Sequence, residues 1–336
     1  MWRTLSLLFA LTPALWPAAS RNLDIYYIDV EGGAATLLVT PGGQSLLADT
    51  GWRGFEDRDP KRIYEVATRQ AGLKKIDYVL ITHFHADHVG GLEGLAKLLP
   101  IGHFLDHGDS VESAPRAAEL WKTYASLAAG KRLTLHPGER LPLKGVEAVV
   151  VSSNGEVLPA PLKGGGQANE ARCRDAQLKE DRPTEDPRSL GFLLTFGKFR
   201  FLDIGDLTWN KEHALACPQN RLGHVDLYQV TCHGANQSGA PEHVLALEPR
   251  VAIMNNGARK GGSPETFQTL RKSPGLQDLW QVHRSLEAGD LNSDERLIAN
   301  PEAECQGHWL KVSVAPNGKY TVTNSRNNFS KTYTAR

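Results

Sequence analysis

Val79-Leu80-Ile81-Thr82-His83-Phe84-His85-Ala86-Asp87-His88-Val89-Gly90-Gly91 is the stretch on which the reading of this chain turns. The apolar run Tyr78-Val79-Leu80-Ile81 predicts a short buried strand that stops at Thr82 and delivers His83, His85, Asp87 and His88 into a turn. Alternation along extended backbone puts His83 and His85 on one side, whereas Asp87 and His88 fall where the chain curls into a helix. Val89, Leu92, Leu95, Ala96 and Leu99 mark the apolar face of that helix, which stops at Pro100. One ion could take the two leading histidines and a second could take Asp87 with His88. Imidazole nitrogen beside carboxylate oxygen suits zinc, and also manganese or iron. A polar turn would account for one histidine, but three imidazoles and a carboxylate directly after a buried strand point to metal.

The segment resembles the His-x-His-x-Asp-His signature of the metallo-β-lactamase superfamily. That resemblance implies an α/β fold, a four-layer αββα sandwich in a single domain, holding two divalent metal ions, with zinc the first choice. The chain's opening is similar to that of ComEC-like members, with Asp29-Val30, the bend Glu31-Gly32-Gly33 and a return to Asp49-Thr50-Gly51. By this resemblance Asp49 lies at a strand end beneath the metals, where a carboxylate can orient a ligating imidazole; capping a turn is the other reading of the same residue. In Asp203-Ile204-Gly205-Asp206-Leu207 the Gly-Asp pair matches the carboxylate that bridges both metals, which points to Asp206. Electrostatics asks for the same thing, because two divalent ions about 3.5 to 4 Å apart repel strongly unless an anion lies between them. Thr231-Cys232-His233-Gly234 stands where relatives carry His-His-Gly. His233 keeps the metal-binding place, and Cys232 replaces a substrate-facing histidine by a thiol that could itself ligate as thiolate.

Lys260-Gly261-Gly262-Ser263-Pro264 departs further, since Ser263 stands where many relatives have a late histidine ligand. His283, ending another predicted strand, is a candidate replacement. His107, ending the strand predicted from Gly102, is a candidate site contact. The resemblance runs from about Leu23 to at least Leu270 and is most specific over 83–88.

Beyond the motif, 38 basic and 38 acidic side chains in 336 residues give no net charge and speak against a surface that coats nucleic acid. Residues 1–20 read as a secretory signal peptide: Arg3, the apolar run from Leu5 to Leu11, then Ala18-Ala19-Ser20 before Arg21. The domain then occupies 21–336, with no transmembrane segment in the mature chain and a secreted or periplasmic destination. Export permits disulfides, and Cys173 with Cys217, on either side of a predicted hairpin, is the favoured pair, though spacing does not fix connectivity. Glycine- and proline-rich 154–188 reads as a lid or specificity loop. The tail, 308–331, alternates as two edge strands around Pro316-Asn317-Gly318. A helix is expected between Arg62 and Gly72.

Two bridged ions lower the pKa of a water held between them, so hydrolysis is the expected reaction. A phosphodiester or related ester, small or from the cell envelope, is the expected substrate. A lactonase or β-lactamase-like hydrolase and a non-catalytic metal- or ligand-binding protein are the alternatives.

Overall fold

Alternate residues of the first strand, Leu23–Tyr27, face opposite ways: Leu23, Ile25 and Tyr27 enter one apolar cluster, and Tyr26 enters another. This period of two is the organising rule of the molecule. The computed structural model describes residues 22–180 and 183–336; the expected signal peptide lies outside them. Among the described residues, one sheet has nine strands in the order 330–334, 319–324, 310–314, 23–27, 36–39, 45–48, 76–80, 101–106 and 132–134. The other has eight, in the order 298–300, 278–283, 251–254, 227–229, 199–203, 191–196, 147–153 and 156–157.

The inner faces of the two sheets meet through Leu38, Leu46, Leu80, Phe192, Phe201, Leu227, Ile253 and Trp280. Helices Arg58–Glu65, Leu92–Leu98 and Pro115–Ala128 cover the outer face of the first sheet through Ile63, Leu95 and Tyr124. Trp209–Ala216, Pro241–Leu247 and Pro264–Arg271 cover the second through Leu215, Val244 and Phe267. The fold is therefore a four-layer αββα sandwich, as expected. Each fully buried side chain of this size stabilises it by roughly 1.5–3 kcal/mol.

What positions the site is the parallel middle of each sheet. Strands 45–48, 76–80 and 101–106 are parallel, as are 199–203, 227–229, 251–254 and 278–283. Their carboxyl ends open on one edge of the sandwich, where loops are free to carry polar side chains.

Three local expectations change. The helix expected from Arg62 starts at Arg58 and passes into a wider turn over Val66–Gln70. The helix after the motif breaks into Ala86–Val89 and Leu92–Leu98, because Gly91 lies against the Thr50 carbonyl, where a Cβ would meet the oxygen at 2.0 Å. The tail forms three strands, the last being Ser330–Thr334, whose Tyr333 hydroxyl accepts the Trp280 indole N–H at 3.0 Å.

Segment 154–188 contains the short strands Glu156–Val157 and Gln167–Ala168 and the helical turns Glu170–Cys173 and Asp186–Arg188. The favoured disulfide, Cys173–Cys217, fastens it to the end of helix Trp209–Ala216, and Cys232 and Cys305 are free thiols. Because that bond closes a long loop, its reduction is expected to cost about 2–4 kcal/mol. Denaturant midpoints measured with and without reductant check this, and equal midpoints would show that the loop is held by its other contacts.

Candidate metal centre

Strand 76–80 ends on Leu80, and the chain leaves it carrying His83, His85, Asp87 and His88, of which His83 and His88 are fully buried. From the other sheet, strand 199–203 leads to Asp206 and strand 227–229 to His233. Gly205 makes the first approach possible: its φ is +54°, and a Cβ there would press on the Thr82 side chain at 2.8 Å. Cys232 and His233 take φ values of 51° and 53°, a left-handed pair that costs roughly 1–3 kcal/mol per residue. Bonds from Cys232 N–H to the Gly205 carbonyl and from Gly262 N–H to the His233 carbonyl, 3.0 and 2.9 Å, hold it there.

The donors fall into two adjoining groups. In one, His88 Nε2 lies 3.2 Å from His233 Nε2, 3.2 Å from Asp87 Oδ2 and 3.4 Å from Asp206 Oδ2. His233 Nε2 lies 3.3 Å from each of those carboxylate oxygens. Ligands placed about 2.0–2.1 Å from a tetrahedral zinc stand about 3.3 Å from each other, which these five separations match. In the other group, His83 Nε2 and His85 Nδ1 are 3.0 Å apart, and Asp186 Oδ1 lies 3.5 and 2.9 Å from them. Asp186 Oδ1 is buried beside them, so the three atoms converge on a shared point. The His83 and His88 rings join the groups, with centroids 4.0 Å apart.

Every one of these imidazoles has its far nitrogen engaged elsewhere. His88 Nδ1 meets Asp49 Oδ2 at 2.7 Å, His83 Nδ1 meets the Thr82 hydroxyl at 3.1 Å, His85 Nε2 meets Glu112 at 3.4 Å, and His233 Nδ1 meets the Asn255 carbonyl at 3.4 Å. Asp49 is itself fixed by the Thr82 N–H and hydroxyl, both at 2.8 Å. Such partners set the tautomer and leave the near nitrogen as a lone pair, as ligation requires. The local field also suits cations. Burial alone would depress His88, but Asp206, Asp87 and Asp49 raise it well above the ordinary histidine value. Burial and the neighbouring His88 hold His83 well below that value, in its neutral, ligating form. Asp203 is different: burial pushes it up to about 7, against the Gly205 N–H bond that favours its ionised form.

Cys232 Sγ sits 3.3 Å from Asp206 Oδ2 and accepts the Gln237 amide at 3.0 Å; burial and Asp206 raise its pKa well above the ordinary thiol value. Ser263 opens helix Pro264–Arg271, with its N–H on the Gly234 carbonyl at 2.9 Å.

Two expected contacts lie outside both groups. His107 is buried on Glu185, with Nε2 2.8 Å from Oε2, one residue away from Asp186 but facing the core. His283 ends strand 278–283 on the Asp29 carboxylate at 2.7 Å, so it does not replace the missing histidine at Ser263. Asp29 also accepts from Arg62, the Cys305 thiol and the Glu31 N–H at 2.7, 2.9 and 2.9 Å, and Arg62 supplies the positive charge there.

Three residues at the site had no role in the sequence reading. Asp186 supplies a middle-third donor where none was identified, Glu185 braces the turn, and Lys260 pairs with Asp87 while lying 5.1 Å above the Trp52 ring. The Asp-Pro turn just ahead of a buried strand was the one signal for Asp186. A cleft of about 370 Å³ bordered by Lys179, Thr184, Asp186, Thr208, Trp209 and Gln237 adjoins the centre. A larger one of about 710 Å³, by Lys163, Phe196 and Arg200, includes none of these donors.

Residues 28–168 match the family model described as the metallo-β-lactamase superfamily. A UPF0173 protein of Pyrococcus abyssi is 28% identical over 70% of this chain and 86% of its own length. A UPF0173 metal-dependent hydrolase of Cupriavidus necator is 36% identical over 86 residues, which span 26% of this chain and 27% of that protein. Among solved structures, the metallo-β-lactamase fold protein YhfI of Bacillus subtilis aligns over 77% of this chain and 95% of its own, at 13% identity and a TM-score of 0.45. A diphosphatase of the PhnP family aligns over 87% and 98%, at 14% identity and a TM-score of 0.43.

The Glu185 brace gives a prediction. Burial favours its neutral form but is outweighed by His107 and the N–H groups of Phe84 and Val111, which bring its pKa down from 4.5 to about 2. A depressed acid stabilises the fold above its unfolded pKa and loses that contribution as pH falls from about 4.5 through about 2, an amount of roughly 3 kcal/mol. Glu185→Gln should therefore lower stability at neutral pH and flatten its decline in that acid window. Unfolding curves measured across the window test this, and an unchanged slope would remove Glu185 from the account.

Proposed function

We propose that the chain is an exported, ComEC-like metal-dependent hydrolase that uses two divalent ions, zinc first, to cleave a phosphodiester or related ester. The observation carrying this reading is the pair of adjoining donor groups, each converging on one point, with the far nitrogen of every imidazole engaged elsewhere. His83, His85 and Asp186 would hold one ion, and Asp87, His88 and His233 the other. Asp206, in the second group, would be the carboxylate shared by both. Bound there, the ions supply Lewis acidity and a water of lowered pKa.

The chain's own contribution is placement. Asp49 fixes the His88 ring, burial excludes bulk water from His83 and His88, and the Cys232–Gln237 pair lies beside Asp206 as a polar contact for substrate. An anionic ester is supported by Lys260, set against Trp52 at the rim. The name metal-dependent hydrolase, carried by the Cupriavidus relative, supports the reaction class. Zero net charge favours a small or cell-envelope ester over long nucleic acid. Secretion or a periplasmic location is supported by the disulfide and by the signal-like residues 1–20. No helix among the described residues is long and apolar enough to cross a membrane.

Metal analysis of the purified protein should find two ions per chain, and a screen of phosphodiester, phosphomonoester, lactone and β-lactam chromogens should find turnover on the first. Asp206→Asn is expected to leave one ion or fewer and abolish hydrolysis with the fold intact, whereas Asp203→Asn keeps both ions. Two ions and near-native turnover in Asp206→Asn would overturn the dinuclear assignment.

A further inference from the structure

The cleft beside the centre is walled by a segment that is pinned down. Trp209 opens helix Trp209–Ala216, and its indole N–H donates to the Gln177 carbonyl at 2.9 Å. Asn210 holds Lys179 at both ends of its peptide unit, accepting its N–H at 2.9 Å and donating to its carbonyl. Backbone 177–179 is thus docked on the helix start, behind which the Cys173–Cys217 bond ties the same segment down again.

This docking places one side chain with care. The Lys179 ammonium lies 3.6 Å from the Trp209 ring centroid and donates to the Asn236 carbonyl, and it makes no ion pair with a carboxylate among the described residues. An ammonium on an indole face, with one of its three N–H donors spent on a carbonyl, keeps donors for an incoming anion. The same cleft carries the Gln237 amide and the Thr208 hydroxyl, whose oxygen is buried without a partner among the described residues. Glu180 and Asp186, also on its border, are the carboxylates that the Lys179 ammonium must offset for an anion to settle there. Asp186 lines the cleft and belongs to the group with His83 and His85, so the cleft adjoins the centre and has room for the remainder of a molecule reacting there.

We propose that Lys179, backed by Trp209 and flanked by Thr208 and Gln237, is a specificity site for a second anionic group, a phosphate or carboxylate, carried by the substrate away from its scissile bond. The proposal rests on the hydrolase reading above and deepens it: the substrate is an ester with a charged tail.

The test uses the metal-loaded full chain and two 4-nitrophenyl phosphodiesters, one whose other arm ends in an alcohol and one whose arm ends in a phosphate; a carboxylate-ended arm distinguishes the two anions. Lys179→Met should raise KM for the charged-tail esters about tenfold, the scale of one charge-assisted hydrogen bond, with kcat little changed. The alcohol-tailed ester should be unaffected, and Lys179→Arg should restore most of the difference. Equal effects on all esters, or none, would overturn the site. Calorimetric titration with the same compounds separates the two readings. Binding of the charged tail that depends on Lys179 but leads to no turnover keeps this site and sinks the hydrolase, whereas turnover indifferent to Lys179 does the reverse.

Discussion

Four buried carboxylates, Asp49, Asp87, Asp203 and Asp206, crowd one edge of the sandwich, and the surrounding structure is arranged to make that tolerable. Isolated charges in such a place would be neutralised or expelled. Here Asp49 is spent on Thr82 and His88, and Asp87 meets His88, His233 and Lys260. Asp203, with no cation on it, is pushed toward the protonated form. The remaining demand for positive charge falls where the tetrahedral set of donors is.

Some of the backbone in unfavourable conformations lies at the same edge. Asp49, Cys232 and His233 all have positive φ, and none is glycine. Each delivers a polar side chain at a strand's carboxyl end, and each is held by bonds from the opposite sheet or a neighbouring loop. Strain of this kind persists only where the surrounding packing over-determines it, as the two sheets do here.

The sandwich and the leading donors were legible because their signals are local. Period-two alternation gives the strands, and His83 to His88 occupy a single turn. Asp206 and His233 could be read from strand ends combined with a family resemblance. Asp186 could not: it lies in an irregular turn, and what brings it to His85 is the Leu190 N–H on the Thr82 carbonyl, a bond between segments about a hundred residues apart. His283 shows the opposite failure. It does end a parallel strand on the site's edge, but a strand end says nothing about lateral distance, and next to it stands Asp29 rather than the donor groups. The continuous apolar pattern after His88 hid a break in the helix, because the close approach of Thr50 to Gly91 is a tertiary fact.

The pairing of His88 with His233 joins positions separated by 145 residues and carried beyond strand ends of different sheets. Loop-closure entropy makes so distant a contact one of the late events in forming the molecule. A cation held by these four atoms has no ready-made receptacle in an emerging chain; the receptacle exists only once both sheets have closed on each other. Acquisition of an ion there would follow the closing of the two sheets rather than precede it.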